Sequence, residues 1–287
     1  MRTHQFFLLV LVFVGGGQLN WAAATELAIG SSNHARLGFD DARHLLARTG
    51  FSPNLAELKA IEGMSRHQAV AQLLSQAQTS AILTPLPPWT SSYARVFRPS
   101  MSQEERGEAN RKQMEYTNEL RAWWLEEMRN TSSPLRERMV LFWHNHFTSG
   151  YDKVRSAYLL NEQNQIFRRH ATGHFEDLLK AVVTHPAMLL YLDQVQSNKN
   201  QANENLAREL MELFTLGEGN YTEQDIKQVA RALTGMGWEP EQGKYHYRPG
   251  AHDDGVKVIF GQSQNFEAQQ VLTMLAQHPK TAQWLSR

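Results

Sequence analysis

Helix signals follow one another along this chain almost without a break, each apolar repeat opened by a capping residue or a proline and closed by a glycine. Ala42, Leu45 and Leu46 mark a helix over Phe39 to Thr49 that Gly50 ends, and Ser52-Pro53 opens the next, where Leu55, Leu58 and Ile61 recur every three residues. Met64 to Gln78 comes next, with Ser65 as cap, and polar helices from about Gln103 lead to Asn130. Stripes of this kind are buried by laying helix on helix. We therefore expect an all-α, orthogonal or bundle-like domain over 25–287, crossed at 79–100 by a strap rich in proline and serine (Pro85, Pro87, Pro88, Pro99). One stretch departs from the pattern. Tyr245-His246-Tyr247, the turn signal His252-Asp253-Asp254-Gly255 and the β-branched run from Val256 to Phe260 read as a small β-hairpin near 243–261.

Ser133-Pro134 opens a helix that runs to about Thr148. At roughly 100° per residue, Leu135, Met139, Phe142, Trp143 and His146 fall on one side, and Glu137, Val140 and His144 on the other. Met139 to Trp143 is apolar all round, which predicts a helix buried between two layers. Within it lies Trp143-His144-Asn145-His146-Phe147. The two imidazoles diverge by roughly 200° and cannot readily meet on one ion from a regular helix. Each reads either as a core histidine bonded to a neighbour or as part of a site.

The second concentration of polar chemistry runs from Asn203 to Gly217. Asn203, delivered by the polar loop from Gln194, is the expected cap. Leu206, Leu210, Leu213 and Phe214 form the apolar stripe, and Glu204, Arg208 and Glu212 stand at i, i+4 and i+8, a spacing for an ion-pair ladder. Asn205, Glu209 and Glu212 share a flank that suits a cation, a sugar or a proton relay, or else a solvated charged face. Gly217 closes this helix, and Thr222 caps the next with Asp225 at its third position. We expect a polar pocket where the helix of His144, Asn145 and His146 faces that of Asn203, Glu204, Asn205, Arg208, Glu209 and Glu212, with Asp193, His252 and Asp253 as further candidates. A divalent metal there would draw on His144, His146, Glu209 and Glu212.

Composition narrows the partners. Arg2 and His4 precede the apolar run Phe6 to Val14, three glycines break it, and Ala22-Ala23-Ala24 offers a cleavage site, so residues 1–24 read as a signal peptide. The apolar run is far shorter than the roughly 20 residues of a membrane span, so the mature chain is expected to be exported, periplasmic or extracellular, without a transmembrane segment. Cleavage removes Arg2 and no acid, leaving 28 basic against 29 acidic residues. That neutrality argues against a nucleic-acid surface. The absence of cysteine excludes disulfides and thiolate chemistry.

Several blocks resemble a known family in register: Leu135-Arg136-Glu137-Arg138-Met139 through Phe147, His185-Pro186-Ala187-Met188-Leu189, Tyr191-Leu192-Asp193, Asn203-Glu204-Asn205 through Gly217, Asn220-Tyr221-Thr222-Glu223, Ala230 through Gly235, and His252-Asp253 with Gly255 and Lys257. They are similar to the bacterial family called domain of unknown function 1800, from about Leu37 to Arg287. The resemblance implies a largely helical exported protein, often encoded beside a sulfatase-like companion. It also implies a family domain that continues past Arg287, so that a C-terminal part is expected to be missing here. Family members usually carry tryptophan directly after the Leu-Thr-Gly block. Here Met236-Gly237-Trp238 places it two residues later.

Three classes of function remain. A binding or accessory protein of the cell envelope fits export, neutrality and the lack of a G-x-S-x-G nucleophile. A metal-dependent hydrolase would take ligands from His144, His146, Asp193, Glu209, Glu212 and His252 on separate elements. A structural network of His146, Arg208 and the glutamates would only fix helix packing. Binding is the reading the sequence favours.

Overall fold

The computed structural model describes residues 36–286, so the expected signal peptide lies outside it. The described chain is predominantly helical with a small β component, as its periodicity predicts. It divides into two compact units, the chain passing from one to the other at Thr172–Gly173, where the sequence suggested one domain.

The first unit holds α1 (Phe39–Thr49), α2 (Leu55–Ile61), α3 (Arg66–Thr79), α4 (Gln103–Asn130), α5 (Pro134–His146), α6 (Tyr151–Val154) and α7 (Ala157–Arg169). Asn54, Ser65 and Ser102 close full capping boxes with Glu57, Gln68 and Glu105, satisfying backbone N–H groups that a helix start otherwise leaves bare. Leu37, Ala42, Leu58, Ile61 and Ala69 form one buried cluster. Ser133, expected to cap α5, makes no side-chain cap bond there; Pro134 alone marks the start.

Helix α5 packs against α7, α3 and α4. It buries Arg136, Glu137, Val140 and Trp143, with Phe147 buried just past its end, whereas Phe142 is 39% exposed. The flank with the carboxylate faces inward because Arg168 of α7 grips Glu137 with two hydrogen bonds of 2.7 Å, both side chains buried. Trp124 Nε1 adds a third donor at 3.1 Å, and Arg136 lies 3.6 Å from the same carboxylate. The 79–100 strap contains one 3-10 turn, Pro88–Ser91, and is held by side chains. Buried Glu127 accepts the N–H groups of Leu83 and Thr84. Arg136 donates to the carbonyls of Ser80 and Ala81, and Trp123 Nε1 to that of Thr84. Farther along, Trp89 stacks on Tyr116 and donates to Glu119.

The second unit holds α8 (Phe175–Val183), α9 (Pro186–Tyr191), α10 (Glu204–Glu209), α11 (Glu223–Ala232), α12 (Ala268–Gln277) and α13 (Pro279–Leu285). Its β structure is two antiparallel hairpins: β1 (Met236–Glu239) with β2 (Lys244–Tyr247), and β3 (Lys257–Ile259) with β4 (Gln262–Gln264). The stretches that suggested one hairpin are thus β2 and β3, each paired with a flanking segment.

Helix α10 runs directly into a π-helical turn, Leu210–Thr215. Thr215 Oγ1 donates to Leu210 O and Leu216 N to Met211 O, both five residues back. The wider turn shifts the helical register of the residues after it. Leu206, Leu210, Met211, Phe214 and Thr215 are buried, while Leu213, expected in the stripe, is 47% exposed.

Candidate functional site

The sequence-derived candidates fall into three groups, one in the first unit and two in the second. His144 lies between the rings of Trp124, 5.2 Å away and nearly parallel, and Phe167 at 5.6 Å. His146 meets different rings, those of Phe142, Trp143 and Phe147, as the divergence of the two positions on a helix requires. Asn145 is exposed, and its carbonyl accepts the Thr148 hydroxyl at 2.9 Å.

Burial holds the His144 imidazole below the usual histidine range. Below about pH 6.5 the unfolded chain binds a proton at this position that the folded chain refuses, so stability falls as pH falls until the lowered folded pKa is passed. In pH-dependent melting, His144→Phe is expected to flatten this descent, by at most about 1.4 kcal/mol per pH unit. An unchanged slope would show that another group carries it.

In the second unit, Asn203 caps α10 by accepting Asn205 N–H at 2.9 Å, and its amide donates to Asp193 O at 3.0 Å. Asn205 Nδ2 reaches Leu192 O at 3.3 Å. Both amides therefore fasten the 192–203 loop, in which Asp193 takes a left-handed conformation (φ 57°). Arg208 lies 3.7 Å from Glu204, as the ladder predicted, but its bidentate partner is Glu223 on α11, at 2.8 Å twice. This pair holds Glu223 below the ordinary carboxylate range. Glu212 instead accepts the Tyr221 hydroxyl at 2.7 Å. Burial, and then the neighbouring Glu212, push the Glu209 carboxyl up.

The third group forms around the turn between α11 and β1. Arg231 clamps Asp253 through Nε at 2.7 Å and Nη2 at 3.1 Å, lowering that carboxyl. Asp253 also accepts Gly255 N–H at 2.9 Å and donates its own N–H to Thr234 Oγ1 at 2.8 Å. A side chain at Gly255 would start 2.7 Å from the Arg231 guanidinium, so glycine lets the clamp close. Lys257 is fully buried; its amine donates to Asp253 O and, at 2.6 Å, to Asn265 Oδ1. Burial moves that amine downward. His252, 3% exposed, sits with Nδ1 2.9 Å from Thr234 O. The sequence pointed to His252 and Asp253 but not to Arg231 and Lys257 as the partners of Asp253, although both stood in the blocks that carry the family resemblance.

Among the described residues, no three His, Asp or Glu side chains converge as a metal-ligand set, and no helix is long and apolar enough to cross a membrane. No curated protein and no solved structure matches the chain. A sequence model of the family described as "Protein of unknown function (DUF1800)" does match, over residues 44–287. The matched stretch is most of the chain and includes every block from Leu135 to Lys257, so the protein belongs to the DUF1800 family.

Proposed function

We propose that this chain is an exported protein of the cell envelope with a binding or accessory role, and that the ligand class is glycan. The observation that carries the reading is the first hairpin of the second unit. Alternation and register put Trp238 opposite Tyr245, and Met236 opposite Tyr247, on one side of β1 and β2. Met236 is buried, while Tyr245 and Tyr247 keep 39% and 38% of their surface in solvent. Aromatic rings in a row, roughly 7 Å apart along the strand, offer flat apolar faces with polar edges, the combination that stacks on sugar rings. The carboxylates and amides named above are already bonded to cations, hydroxyls or backbone. The signal peptide at 1–24 and a sulfatase-like companion belong to the same reading.

Co-sedimentation of the mature protein with purified cell-wall glycan tests it. Tyr245→Ala with Tyr247→Ala is expected to lower the retained fraction about tenfold, with the melting temperature nearly unchanged because both rings are more than a third exposed. Equal retention of parent and variant would overturn the glycan reading. Stoichiometric zinc or manganese that disappears in His144→Ala with His146→Ala, together with substrate turnover by the protein alone, would replace it with the metal-dependent hydrolase.

A further inference from the structure

The turn Leu233–Met236 is gripped from three directions. Gln194 Nε2 donates to Leu233 O at 2.7 Å, His252 Nδ1 to Thr234 O at 2.9 Å, and Arg248 Nη2 to Met236 O at 3.3 Å. These side chains come from the 193–203 loop and from the segment after β2. Each keeps one further buried atom without a hydrogen-bond partner: Gln194 Oε1, His252 Nε2 and Arg248 Nε. Gln194 is fully buried and His252 is 97% buried, so bulk solvent does not reach them. Three such atoms around one turn are out of keeping with the rule that buried polar groups find partners.

Their chemistry defines what completes them. Thr234 O can only accept, so Nδ1 of His252 carries a proton, and in the neutral ring Nε2 presents a lone pair. Gln194 commits its amide N–H to Leu233 O, which leaves Oε1 as an acceptor. Arg248 Nε is a donor in every protonation state a protein reaches. The set is two acceptors and one donor. A water molecule offers two hydrogens and a lone pair, and buried waters commonly make about three bonds of this kind.

We propose that Gln194 Oε1, Arg248 Nε and His252 Nε2 hold internal water at the Leu233–Met236 turn. The water is then the joint between the 193–203 loop and the hairpin. Lys199 N–H bonds Ala251 O at 2.7 Å, and Arg248 Nη2 also reaches Val195 O at 2.9 Å, so the loop and the segment after β2 already meet there. Through Asn203 the same loop sets the start of α10, and with it the position of Arg208 and Glu209.

Two measurements on the mature protein decide it. The ¹⁵N resonances of His252 are expected to show Nδ1 protonated and Nε2 bare, and a crystal structure that shows ordered water elsewhere is expected to show it within hydrogen-bond reach of Nε2. A protonated Nε2, no water near any of the three atoms, or a carbon-containing ligand in its place would overturn the proposal. Gln194→Leu removes the Oε1 acceptor together with the Nε2 donor to Leu233 O. It is expected to speed amide exchange of Lys199 and Arg248 about tenfold while leaving α12 unchanged. Equal exchange in parent and variant would also count against the water joint.

Discussion

Glu137→Gln is expected to destabilise the first unit by about 3–5 kcal/mol, the usual cost of leaving one member of a buried ion pair without its partner. The substitution keeps the shape but removes the charge and turns one accepting oxygen into an NH2 donor facing donors. Arg168 then stays buried with its guanidinium uncompensated, and Arg136, 3.6 Å from the same carboxylate, loses its counter-charge as well. A drop of roughly 10 °C in melting temperature is expected, at about 2–4 °C per kcal/mol for a chain of this size. Replacing both partners, Glu137→Leu with Arg168→Met, is expected to recover most of the loss, because an apolar pair needs no compensation. If the single variant melted within a degree or two of the parent, the pair would not be the organising contact of α5 and α7. Arg168→Lys is also expected to fail, since a lysine cannot make the two parallel bonds at 2.7 Å.

The second large effect is expected at Gly217, which ends the π turn. Its φ is +78°, a conformation that costs residues with a β-carbon about 1–2 kcal/mol. A methyl group there would also lie 2.5 Å from the ring of Trp284, whose Nε1 donates to Leu213 O at 2.7 Å. Overpacking of that kind adds about 1–3 kcal/mol. Gly217→Ala should therefore cost about 2–5 kcal/mol by denaturant titration. In a Trp284→Ala background only the conformational part, about 1–2 kcal/mol, should remain. Equal costs in both backgrounds would mean that the indole does not press on this glycine.

Much of the fold was legible because its signals are local. Asn203 and Thr222 cap where their side chains can reach N–H groups two or three residues on, and Gly50 and Gly217 stop helices where periodicity stops. What was hidden depends on separation along the chain. Glu137 and Arg168 are 31 residues apart, and nothing in either helix alone says that the carboxylate side of α5 turns inward. The π turn was invisible for another reason: a wheel drawn at a fixed angle per residue carries its register through Leu210–Thr215, and so places Leu213 in the core and Glu212 under Arg208. Of the candidate site, His252 and Asp253 were visible as residue types. Arg231, the partner of Asp253, and Gln194 and Arg248, which donate to carbonyls of the Leu233–Met236 turn, carry no local mark that separates them from surface amides and cations.

The strap between α3 and α4 bears on how this protein can change over evolutionary time. Its backbone near residues 80–84 is neutralised by the side chains of Glu127, Arg136 and Trp123, and its next fixed point is Trp89 on Tyr116 and Glu119. Inserting or deleting a residue between those two moorings would pull backbone groups away from buried charges that have no substitute. After Ser91 the contacts are lighter: Tyr93 meets Tyr158 edge-on and exposed Arg106 donates to the carbonyls of Arg98 and Pro99, so lengthening there pulls no backbone away from a buried charge. Length variation among relatives should therefore collect on the Ser91 side of Trp89, and a protease offered the folded protein should cut there before it cuts near Thr84.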